Sequence, residues 1–292
     1  MSHSDTARPW LAAPSFPLAI ALAIAPAAGV LQSKATAPIA VVALACCVLA
    51  HWRRHRTLPW PTHPLAGLAL ALFTWAAVTA AWAAEPLRAL GTSVQLGGFV
   101  LLGAAAARAV AADGEAARRR LMLFATGGLV AGLVLAGLDA ASGNAIRAAV
   151  RGLQTIPPSL AFGLKPAASA MALWLPLVAA APIAWWLRGL VLLGGAAVLV
   201  VLPGEAAKLA VGAALLVGAA ALAWERRVAV TLGAVLGLAL VAMPMALGPA
   251  LERGVPAAGI PPSAAHRLLI WDFVILRIAE RPVLGWGMEA SR

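Results

Sequence analysis

The chain has 292 residues, of which 62% are hydrophobic and 11% charged, with mean hydropathy +0.90 and formal net charge +11. Soluble domains are about half apolar and about a quarter charged, so this chain has too little polar surface to be one. Its hydrophobicity excludes disorder, and the lack of alternating polar and apolar strands excludes an outer-membrane barrel. What remains is an all-α, polytopic bundle of transmembrane helices.

The first segment carries Arg8, an apolar run to Val30 and small residues from Ala25 to Gly29. These features permit signal-peptide cleavage, but further apolar spans follow at once, so the segment reads as the first membrane helix. A membrane helix needs about 20 mostly apolar residues. That rule predicts about nine spans, at 13–32, 36–51, 64–84, 89–110, 121–140, 167–187, 189–203, 206–224 and 228–248, the second and seventh being short. Pro61 with Pro64, Pro157 with Pro158, and Pro261 with Pro262 mark loops. Pro176, Pro182 and Pro244 fall inside apolar runs, where neighbouring helices can satisfy the carbonyls that a kink frees. Gly97-Gly98 and Gly127-Gly128 lie within spans and suggest close helix packing rather than phosphate binding. The adjacent Cys46 and Cys47 have no disulfide or metal spacing and read as packing residues.

The cations set the orientation. With the N-terminus in the cytoplasm, the inner segments hold Arg8, Arg53, Arg54, Arg56, Arg108, Arg118, Arg119, Arg120, Arg188, Arg226 and Arg227. The outer short loops hold fewer: Lys34, Arg88, Arg147, Arg151, Lys165 and Lys208. The bias has the expected sign. Topology disfavours the outer cations, so they are either snorkelling side chains at headgroup level or contacts for an anion. Residues 1–248 form the bundle, and 249–292, richer in charge and proline, begin a large outer loop. In that loop Arg267 to Arg281 reads as one helix, with Arg267, Trp271, Val274, Ile278 and Arg281 on a shared face. Pro282 ends the helix and Gly285-Trp286-Gly287 makes a turn. The scattered cations form no continuous basic face, so nucleic acid is not an expected partner.

The other polar residues suggest little chemistry. Asp113 and Glu115, beside Arg118 to Arg120, read as a solvated, charge-balanced loop. Asp139 and Glu205 end spans on the outer side, as interface caps, bases or holders of a cation. No carboxylate sits deep in a span, which argues against an ion-coupled transporter. His51 and His55 have i, i+4 spacing but lie among arginines, with no carboxylate to complete a metal site. The outer Arg147, Arg151, Lys165, Lys208 and Arg267 remain. Their convergence above the bundle would suit a diphosphate, because the planar guanidinium donates two hydrogen bonds to paired oxygens. A polar cap over an apolar bundle fits a substrate with a lipid tail and a phosphorylated head.

The run His266-Arg267-Leu268-Leu269-Ile270-Trp271, followed by Glu280-Arg281-Pro282-Val283-Leu284-Gly285-Trp286-Gly287, resembles the O-antigen ligase and O-antigen polymerase superfamily. The resemblance lies in an Arg, a Trp four residues later, and a Pro-x-x-Gly-x-Gly at the helix end: Arg267, Trp271, Pro282, Gly285 and Gly287. Met288-Glu289-Ala290-Ser291-Arg292 continues it, and Lys165-Pro166-Ala167 and Glu205-Ala206-Ala207-Lys208 fit less specifically. The motif covers about 25 residues, while nine spans followed by an outer loop match the family's topology.

This resemblance implies a metal-independent, cofactor-free glycosyltransferase of the bacterial inner (plasma) membrane, active on the periplasmic side and belonging to lipopolysaccharide biosynthesis. The donor would be a glycan on undecaprenyl diphosphate. The acceptor would be lipid A–core for a ligase, or another lipid-linked glycan for a polymerase of O-antigen or exopolysaccharide. Arg267 would bind the donor diphosphate and stabilise the charge on the leaving group, helped by Lys165, Lys208, Arg151 and Arg147. Trp271, Pro282, Gly285 and Gly287 would be structural. The family's general-base His is expected beyond Arg292, with more loop and the closing spans, so no catalytic residue is assigned within the chain, which reads as C-terminally truncated. His266 precedes the motif Arg and reads as a helix-start residue. Two readings of other classes stay beside this one: a truncated, inactive membrane protein, and a transporter of lipid-linked glycan.

Overall fold

The computed structural model describes residues 11–252 and 262–289. Arg8, Pro261 and the trailing Ala290-Ser291-Arg292 lie outside them. The described residues contain helices and no strand. The α-helices are α1 (Ser15–Leu31), α2 (Thr36–His55), α3 (Pro64–Val78), α4 (Pro86–Ala111), α5 (Glu115–Ala141), α6 (Ala145–Val150), α7 (Lys165–Trp174), α8 (Trp185–Val201), α9 (Glu205–Glu252) and α10 (Pro262–Glu280). Six helical segments among the described residues are long and apolar enough to cross a membrane: Ser33–His55, Pro64–Trp82, Pro86–Ala111, Glu115–Ala141, Pro158–Ala180 and Arg226–Met243. Ser15–Leu31 and Trp185–Val201 are shorter apolar helices. The protein is an all-α transmembrane helical bundle.

The last four predicted spans come out differently. The sixth, expected at 167–187, is a composite helix: a 3₁₀ stretch Pro158–Leu164, then α7, then a second 3₁₀ stretch Leu175–Ala180. Pro176 lies at the start of that last stretch, where its missing N–H and fixed φ favour the tighter turn. The chain is then extended at Ala181 and at Ala184, and α8 begins at Trp185, ahead of the expected 189. The expected spans 206–224 and 228–248 meet without a loop, at the one non-helical residue inside α9, Trp224 (φ −142°, ψ 52°).

The chain divides into two compact units. Unit 1 comprises residues 1–61 and 101–219, and unit 2 residues 62–100 and 220–292, so α4 and α9 each contribute to both.

In unit 1, α1 runs parallel to α5. Gly128 of α5 lies directly against the Leu22 and Ala23 backbone of α1, and Gly132, one turn on, lies against Pro26. The absence of side chains at Gly128 and Gly132 lets the two backbones approach closely, the main source of helix affinity in lipid. Each predicted glycine pair thus has one working member. Gly128 is the packed residue and Gly127 faces open space; in unit 2, Gly97 lies against Phe73 while Gly98 meets nothing. Behind the α1–α5 seam, Leu129, Leu133, Met171, Leu175, Leu199 and Val211 form the core. Cys47 is buried and Cys46 half-buried, both as free thiols.

The parallel pairing is fixed at its N-terminal end by an unexpected contact. The Ser15 backbone N–H donates to the Asp113 carboxylate at 2.7 Å, and Asp113 is buried. The solvated-loop reading therefore holds for the exposed Glu115 and fails for Asp113. Pro14, at the N-cap of α1, supplies no side-chain cap, and a carboxylate from elsewhere satisfies the first-turn amide and complements the helix dipole. Asp113→Ala is expected to lower stability by about 1–2 kcal/mol, as for loss of an N-cap. Thermal unfolding of the purified protein in detergent checks this, with Glu115→Ala as the near-neutral comparison.

In unit 2, α3 and its 3₁₀ extension Thr79–Trp82 carry an edge-to-face pair, Trp75 with Trp82, at 5.9 Å. Gly248 of α9 approaches Ile275 of α10. The Arg226–Met243 segment of α9 has no residue buried within the protein, which leaves its apolar surface for lipid.

Candidate functional site

The end of unit 1 where α1 and α5 have their C-termini, expected to face outward, is built around a buried ion pair. α5 ends at Ala141, and Gly143 (φ 65°) and Asn144 (φ 72°) turn the chain back in left-handed conformations. Glycine and asparagine tolerate these best. The reversal brings Arg147, on the short α6, onto Asp139 in the last turn of α5. The Arg147 Nε donates to Asp139 Oδ2 at 2.6 Å, and its backbone N–H donates to Asp139 Oδ1 at 2.9 Å. Nη1 donates to the Leu160 carbonyl at 2.8 Å and Nη2 to Asn144 Oδ1 at 2.5 Å. Both charged side chains are fully buried. Asp139 thus holds a cation, one of the roles its position suggested, and that cation is Arg147. A guanidinium so enclosed presents no surface to a ligand: Arg147, expected among the substrate contacts, here ties α5, α6 and the Pro158–Leu164 stretch together.

The other three unit-1 candidates gather at the same end. Arg151, exposed, donates to the Leu31 carbonyl at 3.1 Å and so caps the C-terminus of α1. Lys165 opens α7, with its ammonium 4.6 Å from the Phe162 ring centre and its stem against Gly204. Gly204 (φ 135°) leads into α9, where Lys208 pairs with Glu205 at 2.9 Å. Lys34 follows α1 in the 3₁₀ turn Ser33–Ala35 and is exposed. The opposite end of unit 1 carries Arg108, Asp113 and the exposed Arg118, Arg119 and Arg120. Cations expected on the two sides of the membrane thus sit at opposite ends of the α1–α5 pair. Near the C-terminal end of α1 an apolar cavity of about 290 Å³ opens between α1, α2 and α7.

Unit 2 holds the motif. Arg267 is exposed on α10 and makes no hydrogen bond or ion pair with a described residue. Trp271 is 40% exposed. The helix ends at Glu280, just before Pro282, and the Gly285 N–H donates back to the Arg281 carbonyl at 3.1 Å. Gly285 (φ 67°) and Gly287 (φ 93°) are both left-handed, and a Cβ on Gly287 would collide with Ala83. The motif's two glycines are therefore required by the backbone, the second also by a close approach. Trp286 folds back on α10: its Nε1–H donates to the Arg277 carbonyl at 3.0 Å, and Arg281 stacks over its ring at 4.0 Å. Arg277, itself paired with Glu280 at 2.8 Å, also lies near that ring. Trp286, Arg277 and Arg281 hold the turn onto the helix. No spacing rule singles out Trp286, although its place between the two glycines marks it.

A short stretch of this chain is similar to known proteins. Over 31 residues, 11% of its length, it is 58% identical to a Rickettsia conorii protein named "Putative polysaccharide ligase". A Rickettsia prowazekii protein of the same name matches over the same length at the same identity. The chain spans only 8% of the length of either relative. No family model and no solved structure matches the chain.

Proposed function

We propose that this membrane protein works in polysaccharide ligation, joining a glycan from a lipid diphosphate carrier to a sugar acceptor at the outer face of a bacterial inner membrane. The observation that carries this reading is the 31-residue similarity to polysaccharide ligases. Arg267, exposed and without a hydrogen-bond or ion-pair partner among the described residues, supports it. Arg267 would accept the diphosphate of undecaprenyl-diphosphate-linked glycan and offset the charge that develops as the glycosidic bond to phosphate breaks. In this reading Arg147 and Arg151 position the outer ends of the helices, and Gly285, Gly287, Pro282 and Trp286 position α10. Lipid A–core as acceptor makes the protein an O-antigen ligase, and a second lipid-linked glycan makes it a polymerase.

The full chain, reconstituted in lipid vesicles with undecaprenyl-diphosphate-linked glycan and offered each acceptor separately, tests the reading. Transfer is followed as a mobility shift of the acceptor. Transfer to either acceptor is expected, with Arg267→Ala reducing it by roughly 10²-fold, the scale for removing one donor of transition-state charge stabilisation. Glycan-carrier binding that is unchanged by Arg267→Ala, together with no transfer to either acceptor, overturns it.

A further inference from the structure

The cavity near the C-terminal end of α1 has the form of a site for a lipid chain. Its walls are Gly29 of α1, Ala37 and Ala40 of α2, and Ala170, Met171 and Trp174 of α7. Small residues on three helices leave the space, and Trp174 and Met171 bound it. Ala37 and Ala170 are exposed, so the cavity is a groove, open along the sides of helices that span the membrane. A group the size of a water molecule takes about 30 Å³. The groove volume of about 290 Å³ therefore holds roughly ten chain carbons of that size, the upper part of a fatty acyl chain.

The charges at the groove indicate the headgroup. Lys34 is next to Ser33, and Lys165 is next to Pro166; Ser33 and Pro166 both line the groove. Both lysines are exposed; Lys34 has no hydrogen-bond or ion-pair partner among the described residues, and the Lys165 ammonium lies over the Phe162 ring with no ion pair among them. The two arginines at this end are engaged, Arg147 inside the protein and Arg151 on the Leu31 carbonyl. The fork of Arg147 is thus occupied and Arg151 has one Nη2–H committed to α1, while two compact ammonium groups flank the groove. Point charges of that kind suit the single negative charge of a phosphodiester.

We infer that the groove between α1, α2 and α7 holds one acyl chain of an anionic glycerophospholipid, with its phosphate at Lys34 and Lys165. The site is separate from the glycan-transfer reading and does not depend on it. Ordered lipid there would fill the α1–α7 gap that the protein leaves open.

Native mass spectrometry of the full chain in mild detergent, with added dioleoyl phosphatidylglycerol or dioleoyl phosphatidylcholine, tests this. One tightly retained phosphatidylglycerol is expected, with phosphatidylcholine lost under the same conditions. The Lys34→Gln/Lys165→Gln variant changes only exposed side chains and is expected to weaken phosphatidylglycerol retention roughly ten- to thirty-fold, the scale for two lysines acting on an anionic lipid. Ala170→Trp fills the groove and is expected to remove the retained lipid without altering charge. Equal retention of the two lipids by the natural protein overturns the inference, as does unchanged phosphatidylglycerol retention in the double-lysine variant. One-for-one displacement of phosphatidylglycerol by undecaprenyl diphosphate overturns it too, and assigns the groove to the diphosphate carrier instead.

Discussion

Asp139→Ala is expected to destabilise unit 1 by about 3–5 kcal/mol, the cost of leaving one partner of a buried ion pair without the other. Arg147 would keep its bonds to Leu160 and Asn144 but would carry an uncompensated charge in a site with no solvent access. The α6 amide of Arg147 would also lose its acceptor. Replacing the pair together, as Asp139→Leu with Arg147→Met, removes both charges and is expected to recover much of the loss. Recovery should be partial, because the Leu160 carbonyl is then left without a donor. Thermal unfolding in detergent of Asp139→Leu, Arg147→Met and the double variant closes the cycle, with Asp139→Ala measured beside them. A double variant less stable than Asp139→Ala would show that the pair's hydrogen bonds, and not its buried charge, dominate.

The second large effect is steric. Gly128→Leu is expected to cost about 3 kcal/mol, the upper part of the range for overpacking, because the obstacle is the α1 backbone at Leu22 and Ala23, which has no rotamer to change. Even Gly128→Ala places its Cβ inside contact distance of that backbone. The neighbouring Gly127→Ala meets nothing and replaces a poor helix former with a good one, a gain of up to about 1 kcal/mol. Opposite signs at adjacent residues are a stringent check. Equal effects at the two positions would show that α1 does not pack on this face of α5.

The sequence disclosed the helical class and most span positions because a run of about 20 apolar residues has few alternatives. Prolines at Pro64 and Pro86 open helices, as their fixed φ allows. Pro176 was harder to read: a proline in an apolar run is compatible with a kinked α-helix, and the 3₁₀ outcome depends on packing. Trp224 carries no breaking signal, and the break there follows from the fold around it. The site residues divide in the same way. The glycines of the motif were legible because left-handed backbone selects glycine. Arg147 reads as a surface cation because Asp139, eight residues away, would lie about 12 Å off along a continuous helix, and only the Gly143-Asn144 reversal brings the two together. Asp113 was misread for a similar reason, since its partner, Ser15, lies 98 residues away. In a chain this rich in alanine, burial leaves little periodic trace, so long-range polar pairs are the features least visible beforehand.

The contact between Ser15 and Asp113 also orders events in time. A ribosome adds about 5–20 residues per second, so α1 waits roughly 5–20 s for α5 to be made at that rate. During that interval α2, α3 and α4 emerge, and α1 lacks the glycine face it will pack against. Unit 2 is interleaved with this schedule: its first segment, 62–100, is made before most of unit 1, and its remainder, 220–292, after unit 1 is complete. The α1–α5 seam therefore forms by a lateral search in two dimensions, after α2, α3 and α4 have been made.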